Sequence, residues 1–147
     1  MIPPQPSGET IHATCVAIDG KGVLLYGRSG FGKSDLALRL IDRGALLVSD
    51  DYTILRPARG RLIASAPPSI VGKLEVRGLG IIDVETAPDI AVALCVILDE
   101  PVDRMPGEDR AERHFAGIAI PAVTLQGLEP SAPIKVEIAL DMLGRTN

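Results

Sequence analysis

The chain has 147 residues, the size of one ordinary domain, with a formal charge of −4, two Tyr, two Phe and no Trp. An acidic chain this poor in stacking rings argues against a nucleic-acid partner. Its longest uncharged apolar run, Ile90 to Leu98, is far shorter than the ~20 residues of a membrane-spanning helix, and the first eight residues lack the basic and apolar regions of a secretion signal. A soluble cytoplasmic protein with no membrane partner is therefore expected. Cys15 and Cys95 each lie inside an apolar stretch, as inert buried thiols of a reducing compartment do.

Residues 1–10 are Pro-rich and are expected to form a flexible lead, followed by a single catalytic domain over 11–147. Ile11 to Ile18 is strand-like, Asp19-Gly20-Lys21-Gly22 is turn-like, and Val23 to Tyr26 supplies the returning strand. Next come Gly27-Arg28-Ser29-Gly30-Phe31-Gly32-Lys33-Ser34, which fit the pattern G-x-x-x-x-G-K-[ST]. The glycines let successive N–H groups turn inward to cradle phosphates, Lys33 adds positive charge, and Ser34 offers a hydroxyl to Mg²⁺. All eight are candidate nucleotide-binding residues. From Ser34 to Arg43 the residues Leu36, Ala37, Leu40 and Ile41 share one helical face, which closes at Gly44.

Ala45 to Val48 reads as a buried strand beside the loop strand, ending at Ser49-Asp50-Asp51. Tyr52 to Leu55 and Leu62 to Ala64 suggest a hairpin around a basic, solvated turn, Arg56 to Arg61. After Pro67-Pro68, Lys73 to Glu85 follows neither the helical nor the strand period and is expected to be irregular. Ile90 to Leu98 is the strongest strand, Asp99 to Arg113 reads as a mobile loop, Ile118 to Leu125 as a strand and Ile134 to Leu143 as a helix. These elements predict an α/β domain with a mixed central sheet and a phosphate loop between strand and helix. The strand order is not readable from the pattern.

A phosphate cradle serves ATPases, GTPases, kinases and passive nucleotide binders, so the surrounding groups decide among them. No Asn-Lys-x-Asp guanine-reading segment is present, which makes ATP the better candidate. Asp50 and Asp51 fall at the end of a buried strand, where one carboxylate can orient Mg²⁺ water and the other can face a nucleophile's proton. Adjacent carboxylates raise one another's pKa, the direction a general base needs. His12 lies near a strand start, where a lone His is more often a surface or core residue than a catalytic one.

Ile11-His12-Ala13, the loop Gly27 to Ser34, Leu47-Val48-Ser49-Asp50-Asp51 and above all Leu74-Glu75-Val76-Arg77-Gly78-Leu79-Gly80-Ile81-Ile82-Asp83-Val84 resemble the catalytic domain of bacterial HPr kinase/phosphorylase. The resemblance runs with gaps from Ile11 to Leu140, and the family's usual N-terminal domain has no counterpart ahead of His12. It implies a protein serine kinase that uses ATP and Mg²⁺ to phosphorylate an HPr-like phosphocarrier of the phosphotransferase system. In reverse, the family removes that phosphate by phosphorolysis, yielding pyrophosphate. By the same resemblance His12 is a catalytic-site residue, Lys33 holds the phosphates, Ser34 and Glu75 ligate Mg²⁺, and Asp51 takes the seryl proton. With Asp51 so assigned, Asp50 stands with Ser34 and Glu75 on the metal side. Arg104, within Val102 to Gly107, resembles the arginine of the family's mobile loop, which stabilises charge on the moving phosphoryl group. A homo-oligomer is a further expectation.

The chain departs from the family's pattern in two places. Only Glu85 to Asp89 separate the Leu74–Val84 segment from the next strand, and Leu128-Glu129-Pro130-Ser131-Ala132-Pro133 replaces a basic Pro-Gly-Arg turn. The alternative these departures suggest is a nucleotide-sensing regulatory module without catalysis.

Overall fold

An apolar strand and an amphipathic helix flank the phosphate loop. A computed structural model describes residues 8–105 and 111–145. The elements run β1 (Glu9–Ile11), β2 (Ala13–Ile18), β3 (Lys21–Tyr26), α1 (Lys33–Asp42), β4 (Leu46–Ser49), β5 (Thr53–Ala58) and β6 (Arg61–Ser65). After a 3-10 turn at Pro68–Ile70 follow β7 (Lys73–Val76), β8 (Gly80–Asp83), β9 (Ile90–Ile97), β10 (Glu112–Phe115), β11 (Ile118–Thr124) and α2 (Ala132–Leu143).

The main sheet has nine strands, in the order β1-β5-β6-β9-β3-β2-β4, with β11 also pairing to β9 and β10 to β11. It is mixed: β3 is parallel to β9 and antiparallel to β2. β7 and β8 form a separate two-stranded sheet. The α/β class with a mixed sheet therefore holds.

Strand periodicity divides the apolar residues into two cores. Val16, Val23 and Leu25 face Leu36, Ala37 and Leu40 of α1 and Val136 and Leu140 of α2. On the other face Cys15, Ala17 and Leu24 meet Leu55 and Leu62 of β5 and β6, together with Phe115 and Ile120. The curling sheet thus covers its own second face. Ala93 and Leu94 both join the helix-side core, because the register between β3 and β9 shifts after Gly22. Hairpins β2–β3, β5–β6 and β10–β11 turn through Asp19-Gly20, Arg59-Gly60 and Ala116-Gly117, each with two positive φ values, the twist that suits right-handed strands.

Several expectations need correction. Ile11–Ile18 is not one strand: β1 pairs with β5, β2 with β3 and β4, and His12 lies at the break. Glu9 and Thr10 belong to β1, so paired structure begins inside the expected lead, of which residues 1–7 lie outside the described residues. β4 is not the neighbour of β3, because β2 is inserted between them. Lys73–Glu85 is largely an ordered hairpin, with Glu75 opposite Ile81. Within Asp99–Arg113, Glu112 and Arg113 open a strand, while residues 106–110 lie outside the described ones.

Both cysteines are fully buried and unpaired. Burial pushes the Cys15 and Cys95 thiols up to about 12, so at pH 8 almost none of either is the reactive thiolate. Iodoacetamide at pH 8 is expected to leave both unmodified in the native chain and to alkylate both in urea; mass spectrometry distinguishes the two results.

Candidate active site

The phosphate loop links β3 to α1, so the amino-terminal end of α1, with its free N–H groups and positive dipole end, opens toward the cleft. Gly32 has φ +85°, and a Cβ there would lie 2.6 Å from Cδ2 of Leu128. The positive φ favours glycine there, whereas the exposed end of Leu128 could shift aside. Leu128 is held over the loop because Arg39 of α1 donates to the carbonyls of Glu129, at 3.0 Å, and of Gly127.

Lys33 is buried and its Nζ donates to the Gly27 carbonyl at 2.6 Å. Burial pulls its pKa below the ordinary lysine value, while the carboxylates of Asp51, Asp99 and Asp50 pull it back up. Asp99 follows β9 and braces the outside of the loop: its Oδ2 accepts from the Arg28 N–H at 3.0 Å and from Arg28 Nε at 3.1 Å. The Arg28 guanidinium also sits 5.2 Å from the Phe31 ring centroid. Burial works to raise the Asp99 pKa, but the bonds and charge of Arg28 outweigh it and hold the carboxyl below its ordinary value.

Asp50 and Asp51, adjacent just after β4, turn their carboxylates to different partners. Asp50 is buried, and its carboxylate accepts from Ser34 Oγ at 2.6 Å, from Thr14 Oγ1 at 3.0 Å and from the Glu75 N–H at 3.0 Å. Asp51 is exposed, has φ +67°, and accepts from His12 Nε2 at 2.6 Å. An ionised carboxylate only accepts, so Nε2 carries the proton of that bond. The imidazole stacks on the Tyr52 ring, with centroids 5.2 Å apart. The Asp51 N–H in turn donates to Thr14 Oγ1 at 3.0 Å.

Ser29, Gly30, Gly32, Lys33, Ser34, Asp51, Glu75, Arg77 and Leu128 are among the residues lining one cleft of about 590 Å³. The candidates Lys33, Ser34, Asp51 and Glu75 thus converge. His12 reaches the cleft through Asp51, and Asp50 stands behind it, bonded to Ser34. Arg28, Phe31 and Gly27 support the loop without lining the cleft, and exposed Arg104 does not line it either. Sequence reasoning missed two residues. Arg77 is a cation of the lining, in the turn just after β7, and its nearness in the chain to Glu75 was the available signal. Thr14 is a polar residue on the face of β2 that carries Val16 against α1.

Ser34, Asp50 and Glu75 present only oxygen donors, the type a hard divalent cation takes. Among the described residues no three His, Cys, Asp or Glu side chains form a metal cluster.

The sequence model of the HPr Serine kinase C-terminal domain matches residues 6–139. The HPr kinase/phosphorylase of Clostridium tetani is 38% identical over 140 residues, covering 87% of this chain and 45% of the relative. That of Clostridium beijerinckii is 51% identical over 76 residues, covering 52% of this chain and 25% of the relative. The chain therefore spans less than half the length of these curated relatives. Among solved structures, the Hpr(Ser) kinase/phosphatase from Coxiella burnetii superposes with a TM-score of 0.78 at 32% identity, covering 90% of this chain and 88% of that one.

Asp99→Asn is expected to weaken the brace on the loop and to lower stability at pH 7 by about 1 kcal/mol. Because the Asp99 pKa is depressed in the folded chain, its contribution is present above the unfolded carboxylate pKa and fades as pH falls through the folded value. Urea unfolding of both chains at pH 7 and pH 3 should show the gap narrowing at the lower pH.

Proposed function

Because the chain belongs to the HPr serine kinase C-terminal domain family, we propose that it is the phosphoryl-transfer domain of an ATP- and Mg²⁺-dependent protein serine kinase. Its substrate in this reading is the serine hydroxyl of an HPr-like phosphocarrier of the phosphotransferase system. The observation that carries the proposal is the meeting of a complete phosphate loop, the Asp51–His12 pair and Glu75 at one cleft.

In this reading the loop N–H groups, the α1 terminus and Lys33 bind the ATP phosphates. Lys33 would exchange its contact with the Gly27 carbonyl for phosphate oxygens. Ser34, Asp50 and Glu75 would hold Mg²⁺, which when bound neutralises phosphate charge. The seryl oxygen attacks the γ-phosphorus; a P–O bond to serine forms, the bond to the bridging oxygen breaks, and ADP leaves. Asp51 Oδ takes the seryl proton, and His12, donating to the same carboxylate, orients it. Arg77 and Arg104 are the cations available to the charge of the transferring group, Arg77 from the cleft lining. In the reverse direction phosphate attacks phosphoserine, pyrophosphate forms, and protonated Asp51 returns its proton to the seryl oxygen. Among the described residues no helix is long and apolar enough to cross a membrane; a cytoplasmic setting with a soluble carrier belongs to the same reading.

The test is transfer of label from γ-³²P-ATP to purified HPr. Asp51→Asn is expected to lower the rate by roughly 10²–10⁴. Equal rates would remove Asp51 from the base role, and no transfer by the wild-type chain would favour a nucleotide-sensing module.

A further inference from the structure

Thr14 is fully buried on β2, and its hydroxyl belongs to neither core. It has one proton to donate, and that goes to Asp50 Oδ1 at 3.0 Å. Its lone pairs face the Asp51 N–H, also at 3.0 Å. One hydroxyl therefore joins the two aspartates whose side chains part. On one side of it stand Asp50, the Ser34 hydroxyl and the Glu75 N–H. On the other stand Asp51 and His12.

Asp51 needs such a hold. Its φ of +67° lies in the left-handed region, which a residue with a Cβ leaves readily unless its surroundings fix it. The Tyr52 N–H bond to the Asp50 carbonyl at 2.7 Å closes the turn behind it, and Ser49 Oγ donates to the Tyr52 carbonyl. Those bonds fix the turn on either side of Asp51, whereas the Asp51 peptide itself is gripped by Thr14.

We propose that Thr14 is a positioning residue: its hydroxyl, oriented by Asp50, holds the Asp51 peptide so that the carboxylate faces the cleft in register with the Ser34–Asp50 side. The inference deepens the kinase reading and rests on it for its kinetic consequence. Thr14 is fully buried and does not line the cleft, so its effect on transfer passes through the Asp51 peptide it holds.

The experiment compares wild type, Thr14→Val, Thr14→Ser, Asp51→Asn and the double variant Thr14→Val/Asp51→Asn in phosphoryl transfer to HPr. Thr14→Val keeps the shape and deletes the hydroxyl; it is expected to lower kcat about ten- to a hundredfold. The KM for ATP should change much less than kcat, because Asp50 keeps its Ser34 and Glu75 donors when the Thr14 hydroxyl is lost. Thr14→Ser restores the hydroxyl and should recover most of the rate. In the Asp51→Asn background the valine should cost nothing further, because the group it positions is gone. A wild-type kcat in Thr14→Val, a loss fully additive with Asp51→Asn, or a loss confined to KM overturns the proposal.

Amide exchange at Asp51 in the wild-type chain separates this from the kinase reading and does not need Thr14→Val to fold. Protection of that amide by about tenfold or more over the free-peptide rate, kept in Thr14→Ser, supports the Thr14 contact. Exchange at the free-peptide rate overturns it, whether or not the chain transfers phosphate.

Discussion

A buried carboxylate is tolerated only when it is well hydrogen-bonded, and Asp50 accepts from groups of three elements: Thr14 of β2, Ser34 of α1 and the Glu75 N–H of β7. Removing any one donor leaves its charge less well solvated. The requirement acts in both directions, because the donors are equally committed to Asp50. The loop hydroxyl, the strand that follows His12 and the separate β7–β8 hairpin are thus tied into one arrangement by hydrogen bonds to a single charge.

The topology explains why those elements meet. β2 lies between β3 and β4, antiparallel to both. Its starting end therefore sits beside the finishing ends of β3 and β4, where the phosphate loop departs and Asp50-Asp51 follow. Thr14 pairs with Leu25, two residues before the loop begins, and Cys15 with Ser49, one residue before Asp50. A parallel neighbour in the same place would have delivered its amino-terminal residues to the far edge of the sheet. His12, ahead of β2, reaches Asp51 only because this strand runs the opposite way.

Local signals were legible because each is set by near neighbours in the chain. The glycine spacing marked the loop, the Leu36–Leu40 face marked α1, and the apolar run marked β9. What stayed hidden depends on distant partners. The insertion of β2 beside β4 is a long-range pairing with no local signature. The β7–β8 hairpin escaped because its exposed face carries Leu79 and Ile81 while Leu74 alone is fully buried, which blurs the alternation a half-buried strand needs. The carboxylates of Asp50 and Asp51 were read as a pair from adjacency, yet the positive φ of Asp51 turns one inward and the other out. Site residues with motif spacing were found; Arg77 and Thr14, which join the site only through folding, were not.

The claim that a single buried carboxylate holds the loop, the Asp51 turn and the hairpin together is tested most directly on Asp50→Asn, which preserves shape and removes charge. Calorimetric titration with Mg·ATP and urea unfolding are done on the same protein. The account predicts at least about tenfold weaker binding together with a stability loss of about 2 kcal/mol or more, because an amide cannot accept all three donors. Wild-type affinity and wild-type stability in that variant would contradict it.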